Sequence, residues 1–531
     1  MSLSDPDLDR RIDDLEQALA RAPDDFAATW ELASLLLRRG SLTEAEAQGR
    51  NAVRLDPLSV QAHQLLGMIL TEAHLARTGE FHYRRALALS DHRDPILLAN
   101  LAWNLVGQGR LAEARGFYDE ALEAGPPVFQ TLLGYAQLEE ADSDFEAAER
   151  LLSQGEALAP GDRRAKRARA VLQSRTGRPD EALATLRSLA QGGGALGPGE
   201  MLEEGRLLDR LGRHDAAFQA FVAAKAAMRA ESGIDYMAED ALQEAARLKS
   251  FFIKERLDIL PRAGRAGGAQ PVFIVGFPRS GTTLIEQMVS AHSRVTAGGE
   301  LTYLVDLAET APRQLESPLG FPEALSELWM GDHCDDLDDL RDHYLRRAAR
   351  DGLTGPEAAW FTDKMPLNET YLGLIALLFP ASPIVHVVRH PLDSVLSAFS
   401  HQLTHGSFCA YSLEGAAAHY ALVADLVEHY RAEVPMTYLR VRYEDVVEDP
   451  EPSLRRIMDS LDLALEPACL DPQANRRRPS TPSYAQVDRP LYCSSRYRYR
   501  HYLEQLAPIV PILAEAFGRL GYEIEPPAGA Q

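Results

Sequence analysis

Small residues return to one position every 34 or 35 residues: Ala45, Gly79, Ala114, Ala148, Ala182 and Ala217. A second column lies seven residues on, at Ala52, Ala86, Ala121, Gly155, Leu189 and Ala224. A third runs Ala33, Gly67, Ala102, Ala136, Ala170 and Gly205. Turn-forming Gly40, Gly109, Gly177 and Gly212 make another, and Pro23, Pro57, Pro126 and Pro160 end units, with Asp91 at the equivalent place in one of them. The spacing predicts a helix–turn–helix unit. Small residues let its two helices approach closely, Gly stops the first helix, and Pro or Asp stops the second. One such pair cannot bury its apolar face alone, so neighbours must stack into an α-solenoid. Six units run from about residue 25 to 228, with a partial one before them at Ala18 and Pro23.

The 34-residue period and the small-residue columns resemble the tetratricopeptide repeat, although the first-helix aromatic is sporadic, as Trp30 and Trp103. That resemblance implies a helical domain over residues 1–250 whose surface recruits a protein or peptide partner. The bland alternative is a spacer, or a docking surface for the chain's own second domain.

Composition removes several classes. With 46% hydrophobic and 25% charged residues, the 531-residue chain is an ordinary folded protein, neither disordered nor collagen-like. Its net charge of −23 argues against nucleic acid as a partner, so any bound anion needs a local basic site. Cys334, Cys409, Cys469 and Cys493 lack metal-ligand spacing and are too few for a disulfide scaffold, which points to a reducing cytoplasm. The start, MSLSDPDLDRRIDDLEQ, is unlike a signal peptide, and no run of about 18 apolar residues predicts a membrane span. The chain reads as cytoplasmic and of bacterial type.

A Gly- and Ala-rich stretch at 261–270 introduces a different grammar. Pro271 to Val275 reads as a buried parallel strand and Thr282 to His292 as a helix, joined by Gly276-Phe-Pro-Arg-Ser-Gly281. A strand, a Gly-bounded loop and a helix make a phosphate cradle, with backbone N–H groups and the positive helix end aimed at the anion. The frame matches the Walker pattern except that Thr282 stands where the nucleotide-triphosphate Lys belongs, and Arg279 brings the cation from within the loop. The later strand Pro383 to Val388 ends in Arg389, not in the Asp that would hold magnesium. Both departures disfavour ATP or GTP hydrolysis. Between Asn475 and Arg500 lie seven Arg and one Asp, a basic island of +6 in an acidic chain. Arg476, Arg477 and Arg478 in it could meet an acidic acceptor, or belong to an arginine-rich loop punctuated by Pro479, Pro482 and Pro490. The histidines, His401 and His405 among them, do not form a metal-ligand pattern.

Phe277-Pro-Arg-Ser-Gly-Thr-Thr283 resembles the 5′-phosphosulfate loop of sulfotransferases that use 3′-phosphoadenosine 5′-phosphosulfate (PAPS). Arg389 with Ser397 eight positions later is similar to their 3′-phosphate motif. Arg442-Tyr443-Glu-Asp and Ser483-Tyr-Ala-Gln-Val487, followed by Pro490 and Arg498, complete the likeness, which spans about 271–520. Within the superfamily the spacing resembles the tyrosylprotein branch. Gly298-Gly-Glu300 follows Arg279 at the offset of that branch's catalytic Glu, and Asp363-Lys364-Met-Pro366 fits its Lys context. Ser400-His401 departs from a further Arg of that branch.

The resemblance implies a three-layer α/β domain with a parallel sheet over 268–525, PAPS as sulfuryl donor, and no metal. It implies Glu300 as base, with Arg279, Lys364 and Ser483 stabilising charge. Arg279, Ser280, Gly281, Thr282, Thr283, Arg389, Ser397, Tyr443 and Arg498 are the implied donor contacts. The acceptor is a hydroxyl of open type: peptide tyrosine, carbohydrate, lipid or small molecule. Two other readings stand beside it. One is a repeat scaffold whose second domain binds a nucleotide with little catalysis. The other is an ATP-dependent phosphotransferase.

Overall fold

The computed structural model describes residues 6–471 and 496–524, apart from 74, 192–194, 265–266, 331–332, 334 and 404–407. The chain divides into two compact units, Met1–Glu200 and Met201–Gln531.

In the first unit a helix, Pro6–Arg21, precedes antiparallel helix pairs. These are Phe26–Arg39 with Leu42–Leu55, Val60–Glu72 with Ala76–Leu89, Pro95–Gly107 with Leu111–Ala124, Phe129–Ala141 with Phe145–Leu158, and Arg163–Arg175 with Pro179–Ser188. The small-residue columns lie in the packing seams: Ala33, Ala45, Ala52, Ala102, Ala114 and Ala182 are fully buried. Gly67 is covered by the Tyr83 ring, which a Cβ would approach to 2.9 Å. Gly40, Gly109 and Gly177 all have φ between 73° and 86°. This left-handed conformation ends a helix at little steric cost only for glycine.

The sixth pair, Pro198–Arg210 and His214–Ser232, lies from Met201 onward in the second unit, as does the next helix, Ala238–Phe251. The sequence pattern had grouped residues 201–250 with the repeats. Leu248, Phe251 and Phe252 instead join a core with Phe273, Leu304, Tyr344 and Tyr430.

That core is one layer of a three-layer α/β fold. The sheet comprises β1 (Gln270–Val275), β2 (Val295–Thr296), β3 (Trp360–Lys364), β4 (Ile384–Val388) and β5 (Tyr438–Arg442). Their order is β2-β3-β1-β4-β5, and every pairing is parallel. Strand β1 is buried throughout, which its apolar run dictates. Phe273 and Val275 face the layer just described, while Val272 and Ile274 face a second one with Ile285, Met288, Leu454 and Ile457. The chain visits β3 on one side of β1 and then β4 on the other. The carboxyl end of β1 is therefore a topological switch point, where open α/β sheets hold ligands.

Candidate functional site

The loop leaving β1 turns sharply through three unusual backbones. Gly276 has φ 151° and Gly281 φ 105°. A Cβ on Gly276 would overlap the Val387 carbonyl oxygen, and one on Gly281 would stand 2.5 Å from the Tyr443 ring. Arg279 is left-handed at φ 73° without being glycine, a strain of about 1–3 kcal/mol that surrounding contacts must hold. The helix Thr282–Val289 follows at once, so the amides of Gly281, Thr282 and Thr283 sit at its N-terminus, where no intrahelical acceptor exists. Ser280, Thr282 and Thr283 are buried, and among the described residues the Ser280 hydroxyl has no hydrogen-bond partner.

Four expected residues converge on this loop. Arg279 Nε donates to Ser397 Oγ at 3.4 Å. Arg389 Nη1 donates to the Arg279 carbonyl at 3.1 Å, and the Arg389 guanidinium lies 5.0 Å from the centre of the Tyr443 ring. Tyr443 thus stands between Gly281 and Arg389. His401 joins them: its Nδ1 meets the Ser397 carbonyl at 2.8 Å, which leaves Nε2 to accept from Arg279 at 3.4 Å. Burial pushes His401 well below its usual range, and the positive charges of Arg279, Arg206 and Arg498 push the same way.

Arg498 is anchored by its neighbours. The backbone N–H groups of Tyr497 and Tyr499 donate to the buried Asp393 carboxylate at 2.7 and 2.8 Å, and Tyr499 stacks on His390 at 4.1 Å. The Arg498 side chain pairs with Asp209 at 3.0 Å. Ser483 and Arg476 to Arg478 lie outside the described residues, as do His405, Cys334 and Cys493. Cys409 and Cys469 are buried and free. Among the described residues, no group of three His, Cys, Asp or Glu side chains is placed to hold a metal ion.

The second cluster lies at the end of the adjacent strand. Lys364 closes β3, pairs with Ile274 of β1 in register, and is fully buried. Its Nζ donates to Glu300 Oε1 at 2.6 Å, and its backbone N–H donates to the Gly299 carbonyl at 2.9 Å. Glu300 stands in a loop ahead of the helix Tyr303–Gln314. The loop is held from behind by residues that the sequence did not single out. Glu286 Oε1 accepts the Gly299 N–H at 2.8 Å and the Thr362 hydroxyl at 2.6 Å, and Thr362 Oγ accepts the Gly298 N–H at 2.9 Å. Gly298 packs so closely on the Thr362 carbonyl that a Cβ there would overlap it. Periodicity marks Glu286 only as a polar residue in an apolar helix, a weak signal. Beside Lys364, burial pushes Asp363 up to about 7, although Tyr344 and Asn368 donate to it at 2.6 and 3.0 Å.

The arrangement offers arginines, helix-start amides and buried hydroxyls to one anion, next to a carboxylate–ammonium pair. Residues 271–467 match the model of the sulfotransferase family, and residues 12–60 and 133–200 match that of the tetratricopeptide repeat. Residues 271–467 are a sulfotransferase-family domain. The chain therefore joins this domain to tetratricopeptide repeats. It is 28% identical to an uncharacterized protein of Aquifex aeolicus over 59% of this chain and 41% of that one. It is 24% identical to protein-tyrosine sulfotransferase 2 of Gallus gallus, over 48% of this chain and 69% of that one. The chain thus spans from about two fifths to about two thirds of these relatives' lengths. A solved sulfotransferase domain from the curacin biosynthetic pathway aligns at 20% identity and TM-score 0.31, over 49% of this chain and all of the other.

Proposed function

We propose that this protein transfers the sulfuryl group of PAPS to a hydroxyl acceptor. The observation that carries the reading is the convergence of Arg279, Arg389 and Ser397 on the β1 loop, one strand from the Glu300–Lys364 pair. The site suits such a donor. Glycines at 276 and 281 let the loop pack directly on the Val387 carbonyl and the Tyr443 ring, and among the described residues the buried Ser280 hydroxyl has no partner. The amides of Gly281 to Thr283, with Thr282 and Thr283, hold the 5′-phosphosulfate. Arg389, Ser397 and Arg498 hold the 3′-phosphate, and Tyr443 meets the adenosine. Ser483, on its family resemblance, adds a further donor.

Sulfuryl transfer is an in-line displacement. The acceptor oxygen forms a bond to sulfur as the bond to the bridging phosphate oxygen breaks, and 3′,5′-ADP departs with the electron pair. Glu300 takes the acceptor's proton. Lys364 and Arg279 stabilise charge growing on the bridging and sulfuryl oxygens, where preorganised donors in a dry site are most effective. The chemistry needs no metal.

The tyrosine-sulfotransferase relatives favour a peptide tyrosine as acceptor, and the repeats would recruit the peptide or its carrier protein. The protein works in the cytoplasm on this reading. Among the described residues, no helix is long and apolar enough to cross a membrane.

The test is transfer of labelled sulfate from PAPS into a cell extract, followed by identification of the labelled product. Label appearing with the parent protein and absent with Glu300→Gln supports the reading. Equal labelling by both removes Glu300 as the base. Donor binding without any transfer favours a nucleotide-binding scaffold.

A further inference from the structure

The helix pair Pro198–Arg210 and His214–Ser232 carries the last copy of the repeat pattern, yet its side chains reach the elements that bear the proposed 3′-phosphate contacts. Lys225 is 2% exposed, and its Nζ donates to the carbonyls of His401 at 2.6 Å and Ala398 at 3.5 Å. These carbonyls close the C-terminal end of the helix Pro391–Phe399, on which Ser397 sits. A cation there satisfies acceptors that the helix end leaves open and opposes the negative end of its dipole. Burial pushes Lys225 down to about 8, a cost that a mere packing residue would avoid by being apolar.

Asp209, on the other helix of the pair, holds the opposite wall. Its carboxylate pairs with Arg498 at 3.0 Å and accepts the Tyr502 hydroxyl. The apolar contacts follow the same route. His214 stacks on His501 at 4.4 Å, and Phe218 packs against Phe399 at 5.8 Å and Tyr502 at 6.3 Å. One helix pair therefore grips both segments between which a 3′-phosphate would lie.

We infer that this last repeat unit is a working part of the donor site, with Asp209 and Lys225 as positioning residues for Arg498 and Ser397. The inference rests on the donor assignment proposed above. It separates the sixth unit from the preceding ones. Those are available to a partner, whereas this one is committed to the nucleotide.

The test is calorimetry on the full chain with 3′,5′-ADP and with 5′-AMP, which differ only in the 3′-phosphate. Asp209→Asn and Lys225→Met should each weaken 3′,5′-ADP by about tenfold, the scale of one charge-assisted contact, while 5′-AMP changes less than about twofold. Lys225→Arg should recover most of the loss. Thermal unfolding of the same variants reports any general destabilisation. If both nucleotides weaken equally, or neither changes while the melting temperature falls, the helix pair only supports the fold and the inference is wrong. If the parent protein binds neither nucleotide, the donor assignment fails and takes this inference with it.

Discussion

Single residues carry the chemistry, and two make sharp predictions. Glu300→Gln keeps the shape of the side chain and removes its basicity. Turnover should fall by about 100-fold or more, the usual worth of a positioned base, while 3′,5′-ADP affinity is retained. Steady-state kinetics beside calorimetry separates the two. Asp363 predicts a pH effect. Its pKa rises from 3.8 to about 7 on folding, so across that window the folded chain holds a proton that the unfolded chain has released. Stability therefore falls as pH rises from about 4 to 7. Asp363→Asn should stabilise the protein against its parent more at pH 7.5 than at pH 5, by roughly 1–3 kcal/mol. Urea unfolding at both pH values measures this, and an equal difference at the two would refute it. At this scale the sequence was informative where a residue type was odd for its place. Arg279 in a phosphate loop and Arg389 closing a strand were readable, and the structure brings both to one loop. Glu286 and Thr362 were not, because their role lies in backbone N–H groups 13 and 64 residues away.

Elements are where glycine decides. A glycine in a helix is normally a weakness, so Gly116→Ala, with nothing near its Cβ, should stabilise by about 0.5–1 kcal/mol. Gly205→Ala should do the opposite by about 1–3 kcal/mol, because its Cβ would overlap the Phe221 ring. Thermal unfolding compares the two directly. Gly281→Ala meets both a φ of 105° and the Tyr443 ring, and it should abolish donor binding by shifting the loop. The small-residue columns and turn glycines were legible because each answers a local geometric demand that returns at the repeat period. The partner of each helix face was not legible. The same 34-residue grammar describes a pair packed on another repeat and a pair packed on the sheet domain. Hence Lys225 and Asp209 read as ordinary polar positions, although they reach residues 176 and 289 positions later.

At the scale of the whole molecule, an acidic chain assembles a local cation cluster from distant segments. Arg279, Arg389 and Arg498 come from the loop after β1, the end of β4 and the segment beside Asp393. The net charge of −23 is thus no obstacle to an anionic donor. The division at Glu200 and Met201 also predicts where the chain can be shortened. A protein begun at Gly197 should fold and bind 3′,5′-ADP. One begun at Gly268, the boundary that the sequence pattern suggests, should aggregate, since it exposes the core that Leu248, Phe251 and Phe252 cover. Gel filtration and calorimetry distinguish the outcomes. On the proposed function the β1 loop holds a 3′-phosphorylated adenine nucleotide and not a triphosphate. Calorimetric titration of the intact protein with 3′,5′-ADP and with ATP tests it most directly. Saturable one-site binding of 3′,5′-ADP with much weaker binding of ATP is expected; preference for ATP, or no binding of either, would show that the loop holds no such nucleotide.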